Sequence, residues 1–192
     1  MDVNPRASRA LPLARTKPRP APLDGSAGQG ARLVTIPRRV LVATDTTPAS
    51  AGAERAGLEL ASRAGASLIL LSVIDPSGLR VPGGLFHTRV DQVRSERESA
   101  LARIVANARR LGVASQFLIW EGDPGASVIE AAEAEGADVI VVGSHARNLV
   151  GRLLLGSVSA FVVEHGGRPV LVIRPGQHLD DVWPIEVAPV AG

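Results

Sequence analysis

Arg39-Val40-Leu41-Val42-Ala43-Thr44-Asp45-Thr46-Thr47-Pro48 is the stretch on which the fold turns. Its apolar half is continuous rather than alternating, the pattern of a strand buried on both faces of a parallel sheet. Its polar half changes the period: Thr47 reads as a helix cap and Pro48 as a first helical residue, where a missing N–H and a fixed φ do no harm. Ala53, Ala56, Leu60 and Ala64 then fall on one helical stripe that Gly65 ends. Ser67–Val73 is a second apolar run, so strand, helix and strand follow one another within the ~30 residues of a crossover unit.

The same rhythm repeats outward from there. Asp75-Pro76-Ser77-Gly78 and the Gly- and Pro-bearing Leu79–Thr88 read as a loop. A long helix over about Val90–Leu111 follows, with Val90, Val93, Leu101, Ile104, Val105, Ala108 and Leu111 on one side, Arg94, Glu98, Arg103 and Arg110 elsewhere, and Gly112 as its stop. Gln116–Trp120 is a third strand. Glu121-Gly122-Asp123-Pro124 is a strand-to-helix turn capped by Asp123, and Pro124–Glu135 a helix burying Val128, Ile129 and Ala132. Asp138–Val142, Gly156–His165 and Pro169–Ile173 complete the series as strand, helix and strand. This alternation predicts a single-domain α/β fold: an open, doubly wound, Rossmann-like sheet of five parallel strands with helices on both faces. Such sheets bind ligands beyond the C-terminal strand ends, where the strand order reverses. The places to search are therefore Ala43–Asp45, Val73–Asp75 and the segment after Val142.

Composition agrees with that architecture and removes several chemistries. The 192 residues suffice for one domain, and 45% of them are apolar. With three Phe, two Trp and no Tyr, the core is aliphatic and aromatic platforms for bases or sugars are scarce. The absence of cysteine excludes disulfides, thiolate nucleophiles and Cys-based metal sites. Apolar runs such as Leu68–Leu71 and Val139–Val142 fall far short of the roughly 20 residues of a membrane span. No apolar signal region follows Arg6, Arg9 and Arg15, so the expected location is the cytoplasm. The pI of 10.3 is misleading. Residues 1–37 carry six basic and two acidic residues, 38–175 fifteen and fourteen, and 176–192 none and three. The basicity belongs to a Pro- and Arg-rich stretch without helical or strand period, read as a disordered arm over 1–37. An α/β domain over 38–175 and a C-terminal tail over 176–192 follow. A nearly neutral domain does not read as a nucleic-acid binder.

The segment from Val142 to Ser159 carries the chemistry. Gly143 at a strand end lets a ligand approach the backbone closely and can take torsions closed to other residues. Gly156-Ser157 opens a helix whose first N–H groups and dipole favour an anion, with the hydroxyls of Ser157 and Ser159 alongside. Gly-x-Ser-x-Gly and Gly-x4-Gly-Lys-(Ser/Thr) motifs are missing, and the single lysine is Lys17, so the chain reads as a binder rather than an enzyme. His87, His165 and His178 read as incidental.

The spacing Gly143-x2-Ala146-x9-Gly156-Ser157 resembles the phosphate-loop pattern Gly-x2-Gly-x9-Gly-(Ser/Thr) of the universal stress protein family. Arg39–Asp45, Val73-Ile74-Asp75, Glu121-Gly122-Asp123-Pro124 and Arg168-Pro169-Val170-Leu171-Val172-Ile173 match the same family in the same order, across about residues 36–175. The resemblance implies a homodimeric regulatory protein of the stress response that binds ATP, with Mg²⁺, and pairs its copies through the edge strand Val170–Ile173. Carried over by position, Ala43, Asp45 and Val73 would surround adenine and ribose. Gly143, His145, Ala146, Gly156, Ser157, Val158 and Ser159 would surround the phosphates. Ala146 is the departure: with φ > 0 there, alanine costs about 1–2 kcal/mol, and with φ < 0 its methyl is nearly harmless. Two alternatives stay open, a nucleotide-free dimeric interaction protein of the same fold and a very slow ATPase.

Overall fold

A computed structural model of the chain describes residues 36–79, 86–144 and 155–183. The stretch that opens the fold forms β1 (Arg39–Ala43), with Val40, Leu41 and Val42 fully buried. It lies inside the sheet because both its edges are paired, with β2 (Ser67–Ile74) on one side and β4 (Val139–Gly143) on the other. β3 (Ser115–Glu121) adds beyond β2 and β5 (Val170–Ile173) beyond β4, giving the order β3-β2-β1-β4-β5 with every pair parallel. The predicted class, a five-stranded parallel sheet between helical layers, is the observed one.

The two layers follow from the pleat, which turns successive side chains to opposite faces. Val40 and Val42 pack on one face with Ala53, Ala56 and Leu60 of α1 (Ala51–Ala64) and Leu101 and Val105 of α2 (Phe86–Arg110). Leu41 packs on the other with Val128, Ala131 and Ala132 of α3 (Pro124–Ala134) and Val162 of α4 (Ser157–His165). The chain thus builds outward from β1 to β3 over the first face, then returns and builds from β4 to β5 over the second. The reversal opens a crevice between the C-terminal ends of β1 and β4, the switch point of a doubly wound sheet. Contact between the layers is close enough to require glycine at Gly57, where an added Cβ would lie 2.2 Å from Val42 Cγ2.

Differences from the sequence expectations are local and have causes. α1 begins at Ala51, not Pro48, because the amide and hydroxyl of Thr47 turn back to Asp45, and residues 47–51 form a turn closed by Ser50 N–H to Thr47 O (3.0 Å). α2 starts at Phe86, so residues 86–88 are helical rather than loop. It ends at Arg110, which leaves Leu111 off the buried stripe and 61% exposed. On α3, Ala131 occupies the core position expected for Ile129, which is only half-buried. The stretch 176–192 opens with α5 (Leu179–Val182), whose Leu179 is fully buried against the first-face core, while Arg63 of α1 pairs with Asp180 at 2.5 Å. Residues 1–35 of the expected arm lie outside the described residues. Among the described residues no helix is long and apolar enough to cross a membrane.

Candidate functional site

The end of β1 is fixed by a small polar lattice. Thr44 donates its N–H to Leu71 O (2.9 Å), closing the ladder to β2. Its buried hydroxyl donates to Glu54 Oε1 of α1 (2.5 Å) and accepts the Thr46 N–H (2.9 Å). Asp45 Oδ1 accepts the Thr47 N–H (3.0 Å), the Thr47 hydroxyl (2.7 Å) and the Ser50 hydroxyl (2.6 Å). These bonds hold Thr46 at φ 60°, a left-handed conformation that costs a residue with a β-branched side chain about 1–2 kcal/mol. Burial pushes the Glu54 carboxyl up from its ordinary value; the Thr44 hydrogen bond opposes that shift and the nearby Asp45 charge adds to it.

β2 outruns β1 at this end. The last β1–β2 pair is Ala43 with Leu71, and Leu71 O is turned toward β1. Alternate residues of a strand face the same edge, so Val73 presents its N–H and C=O past the end of β1, into the crevice. Arg97 of α2 reaches that edge: Nη1 donates to Val73 O (2.5 Å) and to the hydroxyl of the fully buried Ser72 (3.0 Å). Burial lowers the Arg97 pKa, and the charge of Asp45 opposes the shift. Beyond Val73, Asp75 Oδ1 accepts the Ser77 N–H (2.8 Å) and hydroxyl (2.7 Å) and so caps the turn that follows β2.

The third wall is the start of α4. Gly156 is its cap, at φ −61° and ψ 158°, and the first amide to find an intrahelical acceptor is that of Ala160, to Gly156 O (2.9 Å). The amides of the preceding first-turn residues are those a helix leaves free for an anion. Ser159 does not add its hydroxyl proton to them, because that proton is donated to Gly156 O (3.0 Å). Gly143 ends β4 inside the ladder, in register with Ile173, and is not among the glycines at positive φ. Its value here is a small side of the crevice, not an unusual torsion.

One cleft of about 560 Å³ joins these walls. Ala43, Asp45, Val73, Gly143, Gly156, Ser157, Val158 and Ser159 all line it, which brings together every sequence-selected site residue that the structure describes. His145 and Ala146 lie outside the described residues. Three polar groups escaped the sequence reading: Arg97 and Ser50, which line the cleft, and Glu54, which positions Thr44 beneath it. A signal for Arg97 existed: it stands four residues from both Val93 and Leu101, on the apolar stripe of its helix, where a charge needs a reason. Among the described residues no group of three or more His, Cys, Asp or Glu could hold a metal ion.

Comparison with known proteins agrees with this architecture. The sequence profile described as the Universal stress protein family matches residues 37–174. Universal stress protein YxiE of Bacillus subtilis is 30% identical over 145 residues, covering 71% of this chain and 98% of its own. A solved protein of the universal stress protein family from Burkholderia pseudomallei is 31% identical, with a TM-score of 0.61 over 72% of this chain and 97% of its own. A universal stress protein solved in complex with cAMP shares the fold at 24% identity, with a TM-score of 0.54 over 72% of this chain and 97% of that one.

Proposed function

The chain belongs to the universal stress protein family, and from that premise we propose that it is a regulatory protein that holds a nucleotide in the cleft at the β1–β4 crevice. The observation that carries this reading is the meeting in one cleft of an anion-favouring helix start, a carboxylate at the end of β1 and the peptide edge of β2 where it runs past β1. In that order they suit phosphates, ribose and base. The amides of Ser157 and Val158 and the Ser157 hydroxyl would take the phosphates, Asp45 the ribose, and the end of β2 the base, with Leu79 and Val93 as apolar walls. The nucleotide that the family resemblance implies is ATP, and a protein of the same fold solved in complex with cAMP is in keeping with a nucleotide ligand. Mg²⁺ keeps most of its waters and leans on phosphate oxygens, so it would travel with the nucleotide.

In this reading the nucleotide is a cytoplasmic signal. It can act only by binding one conformation or assembly better than another, because equal affinity for both shifts nothing. A homodimer through the β5 edge supplies such an assembly.

Gly156→Trp tests the reading. The extended torsions of Gly156 suit any L-residue, so the backbone tolerates the change, while an indole in front of α4 fills the anion subsite. Purified wild-type protein should release a nucleotide on denaturation, detected by mass spectrometry. The variant should release none and bind added nucleotide at least about tenfold more weakly, a loss of ~1.4 kcal/mol or more. Wild type that releases no nucleotide and shows no saturable binding at millimolar purine nucleoside triphosphate overturns the proposal.

A further inference from the structure

Arg97 and Asp45 line the same cleft at the place where β2 outruns β1. Leu71 O takes the Thr44 N–H, so the next carbonyl on that edge, Val73 O, comes just past the pair, on the side where Asp45 leaves β1. Arg97 is anchored there: Nη1 donates to Val73 O (2.5 Å) and to the hydroxyl of fully buried Ser72 (3.0 Å). The carbonyl keeps its second lone pair for a base amino group. Both bonds leave from Nη1, whereas guanidinium carries five N–H donors in a rigid fork. Among the described residues, the donors on Nε and Nη2 are therefore still to be given. Fully buried Leu101 and the partly buried Val93, on the same stripe of α2, fix the stem that aims them. The Asp45 charge is near enough to oppose the fall that burial causes in the Arg97 pKa. Arg97 is also the single cationic side chain lining the cleft among the described residues.

A guanidinium can only donate, and an ionised carboxylate can only accept. A group held by both heads must therefore do both. A phosphate or carbonyl oxygen suits Arg97 but brings no proton to Asp45, and an amino group suits Asp45 but meets donors at Arg97. A hydroxyl satisfies the two at once. We propose that Arg97 and Asp45 together read the 2′-hydroxyl of the nucleotide sugar, so that the cleft takes ribonucleotides in preference to 2′-deoxyribonucleotides. The hydroxyl gives its proton to the Asp45 carboxylate and accepts from the Arg97 fork. It is the 2′-hydroxyl because that group stands on the carbon next to the glycosidic bond, and Arg97 is anchored at the end of β2 that faces the base. A deoxynucleotide leaves two charged heads in a half-buried site without their shared partner, which costs more than the loss of one contact. The inference rests on the nucleotide reading of the cleft and extends it from the base and phosphates to the choice of sugar.

The full-length chain, titrated calorimetrically with ATP, 2′-deoxy-ATP and 3′-deoxy-ATP, tests it. ATP should bind at least about tenfold tighter than 2′-deoxy-ATP, the low end of what a hydrogen bond to a charged group contributes. 3′-Deoxy-ATP keeps the 2′-hydroxyl and should follow ATP; binding no better than that of 2′-deoxy-ATP overturns the assignment to the 2′-position. Arg97→Met keeps the packing of the stem without its donors, and the ratio of ATP to 2′-deoxy-ATP affinity should fall toward one. Equal weakening of both nucleotides, with the ratio unchanged, makes Arg97 a mere support of β2 and overturns its role. Arg97→Lys keeps the charge beside Val73 O and Ser72 but lacks the fork, so it should narrow the ratio in a protein with its β2 end still tied; an undiminished ratio there overturns the role as well. Wild type that binds 2′-deoxy-ATP as tightly as ATP overturns the sugar proposal and leaves the nucleotide site standing. No saturable binding of any of the three overturns both.

Discussion

Glu54 sits where a carboxylate is costly, half-buried under the end of β1 and close to Asp45. Burial raises its pKa in the folded chain above the ordinary value of 4.5, so folding takes up a proton there. The stabilisation from the neutral form is complete below the unfolded pKa and is lost as pH rises through the folded one. Glu54→Gln keeps an oxygen for the Thr44 hydroxyl and has no charge to bury. Denaturation midpoints taken at intervals from about pH 4 to pH 8 should show wild type losing ground to the variant as pH increases. A difference that stays flat across that range contradicts the assignment. The same residue shows what single positions concealed in the sequence. Asp45, Val73 and Gly143 were legible because they stand where apolar strand runs stop, and the sheet topology brings those ends to the crevice. Glu54 stands within a helix, where a lone charge looks like a solvated face until the packing shows which way it points, and for Arg97 the only sign was its place on the apolar stripe of α2.

At the scale of elements, α1 illustrates both what patterning conveys and what it omits. Its buried stripe and its Gly65 stop were readable, since periodicity and a left-handed terminal glycine (φ 64°) are properties of the local chain. Its start was not. Thr47-Pro48 carries every local mark of a helix opening, but the Asp45 carboxylate claims Thr47 first and delays the helix to Ala51. α3 had no such competitor, and Asp123 caps it as expected, accepting the Ala126 N–H at 2.8 Å. Nor could patterning show that Gly57 faces the sheet. A Cβ there would overlap Val42 Cγ2, and Val42 is a β-branched side chain on an interior strand with little room to rotate. Gly57→Ala gains at most ~1 kcal/mol of helix propensity and pays an overpacking penalty of about 1–3 kcal/mol or more. The net effect on urea unfolding should be destabilisation, and because α1 also carries Glu54, nucleotide affinity should fall with it. An alanine variant as stable as wild type would mean that α1 shifts off β1 freely.

For the whole molecule, the two edges of the sheet are unequal, and that asymmetry bears on assembly. The β3 edge is guarded by polar groups: Arg109 of α2 donates to Ser115 O (3.2 and 2.8 Å), and exposed Gln116 and Glu121 stand along the strand. The β5 edge is four residues long and apolar, with Val170 and Val172 half-buried, and α4 beside it exposes Phe161 (38%) and Val163 (48%). Among the described residues no strand pairs with the outer edge of β5, and an unpaired edge is a template for another strand. The nearly neutral charge of residues 38–175 gives two copies little long-range repulsion to overcome. Family resemblance supplied the expectation of a dimer, and the exposed apolar side chains supply its physical motive. Pairing across β5 should therefore make the full chain a dimer at micromolar concentration by light scattering. Val172→Lys places a charge on that edge and should yield a monomer with unchanged secondary structure by circular dichroism. Since β1 and β4 both stand between β5 and β2, the monomer should keep a folded cleft that still binds nucleotide. A wild-type chain that stays monomeric at 100-fold higher concentration, or a Val172→Lys chain that still dimerises, assigns assembly to another surface.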